Sequence, residues 1–167
     1  MPKEGEKVGV LKSLVVVNEA NCLGCRTCEA VCSLHHDGAI GPTLSRILVV
    51  KDWTKPNTMD VEFKLAVCMQ CADSPCLQNC PLNAIKIDEK TGARVVDQKL
   101  CNGCQLCAES CPYTPSRIRF NKADKAFKCD LCGGNPQCVK FCPEKVLTYI
   151  HDDKGIAGIG SPLEGDL

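Results

Sequence analysis

The stretch Cys101–Cys111, with the sequence CNGCQLCAESC and a proline directly after it, decides the fold of this chain. Its cysteines follow the spacing C-x2-C-x2-C-x3-C-P. Related runs occupy Cys22–Cys32, Cys68–Cys80 and Cys129–Cys142, and the four runs together use all sixteen cysteines. Because no cysteine lies outside a run, the chain is organised around whatever these thiols bind.

This spacing suits a [4Fe–4S] cluster, which has four irons that each need one thiolate. A loop with two residues between cysteines wraps three corners of the cube, and its backbone amides can donate to the sulfurs. The fourth cysteine follows one helical turn later, faces away from its own loop and ligates the other cluster of a pair. The predicted iron ligands are Cys22, Cys25, Cys28, Cys32, Cys68, Cys71, Cys76, Cys80, Cys101, Cys104, Cys107, Cys111, Cys129, Cys132, Cys138 and Cys142.

The four runs differ in two details. A proline follows the last cysteine of the second, third and fourth runs, whereas Ser33 follows that of the first. The second gap has four residues in the second run and five in the fourth, but two in the other runs. The alternation of the two spacings indicates a duplicated two-cluster unit.

Zinc and disulfides are the other common uses of clustered cysteines. A four-cysteine zinc site needs two pairs of ligands, whereas these runs have a triplet and one further cysteine. Dense triplets are also poor disulfide geometry, and the segment MPKEGEKVGVLKSL lacks an apolar signal segment. No apolar run reaches the length of a membrane span. We therefore expect iron–sulfur clusters in a cytoplasmic protein.

The composition agrees with a protein built around inorganic clusters. Aromatic residues make up only 4% of the chain, so a large conventional core is not expected. Clusters would replace part of that core, and the chain without them should be largely unfolded. Basic and acidic residues number 20 each. Since each cluster with its four thiolates adds a charge of about −2, the loaded protein is acidic and a nucleic-acid partner is disfavoured.

Hydrophobic patterning and turn residues predict short elements between the runs. A helix is expected over residues 29–36, ended by Gly38 and by Gly41-Pro42. Strands are predicted over 8–17, 45–53, 61–67, 85–87, 95–96, 117–120, 126–128 and 146–150, with turns at 55–57 and 89–92. The glycine-rich tail, 151–167, is expected to be either disordered or an arm ordered by a partner.

In its cysteine pattern, residues 10–150 resemble the four-cluster ferredoxin-type electron-transfer subunits that accompany molybdenum and tungsten enzymes, the dimethyl sulfoxide reductase iron–sulfur subunit family. The stretch CLGCRTCEAVCSLHHDGAIGPTLSRI most resembles small subunits that accompany tungsten aldehyde oxidoreductases. Ferredoxins of carbon monoxide dehydrogenases are similar as well. The resemblance implies an α+β fold, tandem and bacterial-ferredoxin-like, in which two double-cluster units are related by a pseudo-two-fold axis and joined by short helices, β-hairpins and extended loops.

The resemblance also implies how the runs pair. In the family they pair in a nested way, so that 22–32 joins 129–142 and 68–80 joins 101–111 within one domain, 1–150, followed by the tail 151–167. The implied ligand sets are Cys22, Cys25, Cys28 with Cys142; Cys129, Cys132, Cys138 with Cys32; Cys68, Cys71, Cys76 with Cys111; and Cys101, Cys104, Cys107 with Cys80. Sequence spacing alone leaves sequential pairing open, because both schemes close loops of plausible length.

The implied function is relay of single electrons through four [4Fe–4S] clusters, between a catalytic oxidoreductase subunit, a tungsten aldehyde oxidoreductase, and an acceptor. The alternative is a carrier for a carbon monoxide dehydrogenase, hydrogenase or other molybdenum or tungsten enzyme. A cofactor-reducing subunit, a soluble ferredoxin or a second copy stacked head to tail would meet the other end. No catalytic residue is predicted, because the sequence has no Ser–His–Asp set, phosphate loop or GxGxxG fingerprint.

Four residues beside the cysteines are candidates for further roles. Arg26, inside the first cysteine loop, either raises the potential of that cluster or faces solvent. His35 and His36 either donate to a cluster sulfur or form a polar helix end, where histidine is favoured. Trp53 is expected to be a packing or interface anchor rather than a redox relay.

Overall fold

The computed structural model describes residues 12–51 and 62–156 of the chain. Within these ranges, short helices alternate with four antiparallel two-stranded sheets. The elements are β1 Ser13–Val17, α1 Thr27–Asp37, β2 Leu48–Lys51, β3 Phe63–Ala66, α2 Pro75–Gln78, β4 Ile85–Ile87, β5 Arg94–Val96, α3 Leu106–Glu109, β6 Arg119–Phe120, β7 Ala126–Phe127, α4 Gln137–Lys140 and β8 Leu147–His151. None of the described helices is long and apolar enough to cross a membrane.

The longest helix, α1, confirms the prediction made for residues 29–36 and extends it by a few residues at its start. It ends at Gly38, whose φ of 66° is left-handed and whose N–H donates to Leu34 O at 3.0 Å. Glycine adopts this conformation without a Cβ penalty. Inside the helix, the buried carboxylate of Glu29 accepts from Val49 N at 2.7 Å and so ties α1 to β2.

The three predicted hairpins are confirmed. Strands β2, β3, β6 and β7 are shorter than the sequence pattern, whereas β4 matches it and β5 begins one residue earlier. Strand β2 pairs with β3, β4 with β5 and β6 with β7. The β4–β5 turn is closed by Asp88, which accepts from Thr91 N at 2.8 Å and Thr91 Oγ1 at 2.6 Å. The expected strand residues 8–11 and 52–53, the turn 55–57 and the tail 157–167 lie outside the described residues.

A long-range strand pair closes the described chain on itself. The predicted last strand, β8, pairs antiparallel with β1, with Ser13 opposite His151 and Val17 opposite Leu147. Val15 and Leu147 from this pair are buried. Because β8 follows the fourth cysteine run and β1 precedes the first, the pairing brings those two runs together.

The buried apolar residues form two clusters, and cysteines belong to both. The larger includes Val15, Ile47 and Leu131 together with cysteines of the first, second and fourth runs. The smaller joins Ile85 and Ile118 to cysteines of the second and third runs. Helix α1 packs on α4, and α2 packs on α3. The hydrophobic side chains therefore surround the cysteines, as expected for a chain poor in aromatic residues.

Candidate cluster sites

Three cavities each have four cysteines in their walls. Site A is lined by Cys22, Cys25, Cys28 and Cys142; site C by Cys68, Cys71, Cys76 and Cys111; site D by Cys80, Cys101, Cys104 and Cys107. Each cavity takes three cysteines from one run and the fourth cysteine from another. The fold thus brings together residues that the sequence places far apart.

The remaining cysteines, which we call site B, are Cys32, Cys129, Cys132 and Cys138. Helix α1 contains Cys32 and α4 contains Cys138, and these two helices pack together. Burial raises the pKa of Cys138 to about 12, and the neighbouring Cys32 and Cys132 add to this effect. Cys32, Cys129 and Cys138 belong to one buried cluster, and Cys132 Sγ lies 3.9 Å from His36 Nε2 on α1, so these four cysteines lie in one region of the fold.

The same local geometry presents the third cysteine of every run. Cys28, Cys76, Cys107 and Cys138 are each the second residue of their helices, α1 to α4. The loop before the helix turns through left-handed conformations, including Arg26 at φ 59° and Gln105 at φ 66°. In site D, Gly103 has φ 79°, and a Cβ there would lie 2.4 Å from the backbone oxygen of Asp124. Glycine is therefore required at this position.

Backbone amides donate to cysteine sulfurs at the cluster sites. Arg46 N lies 3.2 Å from Cys32 Sγ, Ala84 N 3.3 Å from Cys80 Sγ, and Arg117 N 3.4 Å from Cys111 Sγ. Ala126 N and Gln70 N donate in the same way to Cys101 Sγ and Cys68 Sγ. Hydrogen bonds of this kind stabilise thiolates and tune the potential of an iron–sulfur cluster.

Several of the buried thiols are hard to ionise unless a cation joins them. The pKa of Cys28 is raised to about 12, mainly by burial and then by the Glu29 charge, and that of Cys107 to about 11 by burial together with nearby thiolates. Four thiolates in one small cavity would repel one another, whereas iron would deprotonate them and hold them together. The donor set of four thiols with amide hydrogen bonds fits a [4Fe–4S] cluster.

The cavity of site C is also lined by three side chains whose buried donor groups lie near cysteine sulfurs. Tyr113 Oη and Arg117 Nε are buried without a nitrogen or oxygen partner among the described residues, and both side chains line the cavity. Lys128 also lines it, with Nζ 3.7 Å from Cys76 Sγ. Burial is the largest influence on Lys128 and acts to lower its pKa, but the surrounding thiolates of Cys68 and Cys76 raise it overall. Such a donor set fits an anionic group in the cavity.

The sequence did not identify Lys128, Tyr113 or Arg117 as functional residues. The sequence signal that could have indicated a role at a cluster was proximity to a cysteine along the chain. Lys128 directly precedes Cys129, and Tyr113 follows Cys111 by two positions. A lysine or tyrosine beside a cysteine is more commonly exposed. Only the tertiary structure shows that Lys128 is buried.

The arginine and the two histidines that are candidates for further roles beside the cysteines differ in their surroundings. Arg26 pairs with Glu29 at 3.0 Å while its side chain stays 52% exposed. His36 Nε2 lies 3.2 Å from Asp130 Oδ1 and 3.9 Å from Cys132 Sγ, whereas the adjacent His35 is exposed. Burial lowers the pKa of His36. Of the two histidines, His36 is the one that reaches a predicted ligand, and Trp53 lies outside the described residues.

Comparison with known proteins identifies the same chemistry. The family model described as the 4Fe-4S dicluster domain matches residues 59–152, more than half of the 167-residue chain. The polyferredoxin-like subunit of an aliphatic sulfonate oxidoreductase from Pyrococcus furiosus is 43% identical over 93 residues, which are 56% of this chain and 50% of the relative. Formate hydrogenlyase subunit 2 of Escherichia coli is 33% identical over 98 residues, 58% of this chain and 43% of the relative.

Among solved structures, a chain of the active site complex BamBC of benzoyl coenzyme A reductase with benzoyl-CoA aligns with a TM-score of 0.48. It is 24% identical, and the alignment covers 84% of this chain and 80% of that chain. The present chain spans about half the length of the curated relatives it matches.

Proposed function

Because the chain belongs to the 4Fe-4S dicluster domain family, we propose that it holds four [4Fe–4S] clusters and relays single electrons through them as a subunit of an oxidoreductase complex. When bound, each cluster accepts and gives up one electron without making or breaking a covalent bond to a substrate. The chain supplies the ligands, the spacing between clusters and the surrounding charge. It has no catalytic role of its own in this proposal.

The sixteen cysteines ligate iron as sites A to D, which are the nested sets. Two double-cluster units follow from this scheme: residues 22–32 with 129–142, and 68–80 with 101–111. The packing of α1 on α4 and of α2 on α3 supports a pseudo-two-fold arrangement of the two units within 1–150. In this proposal the tail 151–167 is a partner-binding arm rather than part of a unit.

The four sites form a row in the order A, B, C, D. Packing supports this order, because one buried cluster contains cysteines of sites A, B and C and the other contains cysteines of sites C and D. Cys28 of site A acts on Cys138 of site B, and Cys68 of site C acts on Cys129 of site B. Cys76 of site C in turn acts on Cys107 of site D. An electron can thus pass from site to site along the row.

The observation that carries the proposal is the exposure pattern of the cysteines. Cys25 in site A and Cys104 in site D are exposed, whereas every cysteine of sites B and C is buried or half-buried. Exposed cysteines therefore occur only at the two ends of the row. A relay needs an entrance and an exit near the surface and insulated clusters between them, which is the pattern seen here.

The proposed partners follow from the relatives and from the resemblance stated above. One end docks a catalytic oxidoreductase subunit, for which a tungsten enzyme of the aldehyde oxidoreductase kind is the leading choice. The other end meets a cofactor-reducing subunit, a soluble ferredoxin or another copy of this chain. A polyferredoxin-like subunit of an aliphatic sulfonate oxidoreductase among the relatives supports this assignment.

Anaerobic purification with metal, sulfide and EPR analysis tests the proposal. We expect about 16 iron and 16 sulfide per chain, because each of the four sites binds a four-iron cluster. Half that iron in a well-reconstituted sample would contradict four clusters, and a colourless zinc protein would contradict the electron-transfer function itself. Mass spectrometry and tungsten analysis of the proteins that copurify from the native source identify the catalytic subunit.

A further inference from the structure

Lys128 is an unusual lysine because its ammonium group is buried between two cysteine sites. It follows β7 and directly precedes Cys129, a member of site B. Only 6% of the residue is exposed, and Nζ lies 3.7 Å from Cys76 Sγ of site C. Among the described residues, no carboxylate lies within ion-pair distance of Nζ.

Burying an ammonium group is costly unless an anion compensates it. The groups that face Lys128 are the sulfurs of Cys68, Cys76 and Cys129. Protonated thiols would leave the charge uncompensated, whereas thiolates bound to a negatively charged cluster would offset it. The position of Lys128 is therefore explained by an anionic, loaded site C.

Two further donors line the same cavity. Tyr113 Oη and Arg117 Nε are both buried, and neither has a nitrogen or oxygen partner in the described part of the chain. Arg117 also donates its backbone N–H to Cys111 Sγ at 3.4 Å. Site C thus combines two cationic side chains with a phenol hydroxyl, and its wall contains no carboxylate.

Sites A and D have a different charge balance. The wall of site A contains one cation, Arg26, and one carboxylate, Glu144. Arg26 is already paired with Glu29. The Glu29 charge raises the pKa of Cys28, and the Glu144 charge opposes the lowering of the Cys25 pKa. The wall of site D has no charged side chain among the described residues. Of the three cavities, only site C has an excess of positive charge.

Reduction of a cluster adds one negative charge, so a nearby cation stabilises the reduced form more than the oxidised form. Water screens this attraction little in a buried site. We propose that site C has the highest reduction potential of sites A, C and D, and that Lys128 is the positioned charge that raises it. The inference rests on the proposed electron-transfer function and adds to it an internal site where the electron is held most tightly.

An EPR-monitored redox titration of the anaerobically purified, full-length protein tests this assignment. The signals of sites A, C and D are assigned with the ligand variants Cys142→Ala, Cys111→Ala and Cys80→Ala. In Lys128→Met the buried charge is lost, so we expect the highest-potential of these three signals to move to lower potential by at least tenfold in its equilibrium constant, about 59 mV for one electron. Lys128→Arg keeps the charge and should restore most of the potential. Lys122→Met removes an exposed lysine from the β6–β7 turn and should leave all signals in place.

Each outcome decides the inference. If Lys128→Met keeps its full iron and no potential changes, or if a lower-potential signal moves instead, the assignment is wrong. If Lys128→Met loses iron, Tyr113→Phe provides the test, because it removes only a hydroxyl at the same cavity. A smaller downward shift of the highest-potential signal supports the assignment. Any other result overturns it. Failure of the proposed function would look different, because the wild-type protein itself would then lack iron–sulfur signals.

Discussion

The side-chain amide of Gln70 donates to the backbone carbonyl of Cys129 at 2.8 Å, across 59 positions of sequence. Its Oε1 accepts from Arg94 N, also at 2.8 Å, and the residue is completely buried. Gln70 therefore joins the second cysteine run to the fourth, at the boundary between sites B and C. This side chain thus links the two sites between which the proposed electron transfer would pass.

Replacing Gln70 with leucine should weaken this boundary. The change leaves a buried carbonyl and a buried N–H without partners, which costs about 2–4 kcal/mol in all. We expect the visible absorption of the loaded protein to be lost about 5–10 °C lower at a fixed heating rate. Gln137→Leu is the matched control, because that amide donates to Asn135 O at an exposed position. Equal losses in the two variants would show that Gln70 has no special role.

Gly103 and Gly133 form a second matched pair of positions. Both have a left-handed φ, 79° at Gly103 and 61° at Gly133. A Cβ added at Gly103 would lie 2.4 Å from Asp124 O, whereas a Cβ added at Gly133 would have none of the described atoms within 4 Å. Gly133→Ala should therefore cost only about 1–2 kcal/mol of backbone strain. Gly103→Ala adds a clash with backbone and should lose iron from site D. Iron per chain measures the difference, and full iron in Gly103→Ala would contradict the close approach.

The nested ligand sets predict an unusual mutant phenotype. Cys142→Ala should perturb the cluster at Cys22, Cys25 and Cys28, and Cys111→Ala that at Cys68, Cys71 and Cys76. The physical reason is that the fourth ligand comes from a distant run. Resolved EPR signals of the two variants, compared with those of variants in each loop, decide the scheme. If Cys142→Ala instead perturbs the cluster at Cys129, Cys132 and Cys138, pairing is local.

Cluster loading should depend on pH with a definite sign. Burial raises the pKa of Cys28 and Cys138 to about 12, so both thiols are protonated at neutral pH before iron binds. Each must release its proton to become a ligand, and protons therefore compete with iron. We expect fuller anaerobic reconstitution at pH 8.5 than at about pH 6.5, with proton release in weak buffer. As a control, protein loaded at the higher pH is moved to the lower pH, which shows whether clusters already bound are lost there. Fuller loading at the lower pH would contradict the prediction.

The local elements were predictable because their signals are local. Gly38 ends α1 through a left-handed residue that glycine favours, and the turn between Ile87 and Arg94 needs only the few residues within it. The short helices α2, α3 and α4 were not predicted, because four-residue helices are too short to show a periodic hydrophobic pattern. Strand ends were less accurate, and β6 and β7 have two residues each where four and three were predicted.

The sequence by itself determined that every cysteine belongs to a four-membered run with iron–sulfur spacing, because that spacing is a property of consecutive residues. The tertiary structure alone decided which distant cysteine enters which cavity, as when pairing of β1 with β8 brings Cys142 to the wall lined by Cys22, Cys25 and Cys28. It also decided that Lys128 is buried against Cys76 while Lys122 is exposed. Burial and charge balance depend on contacts between segments far apart in the chain. The spacing of neighbouring residues does not reveal those contacts.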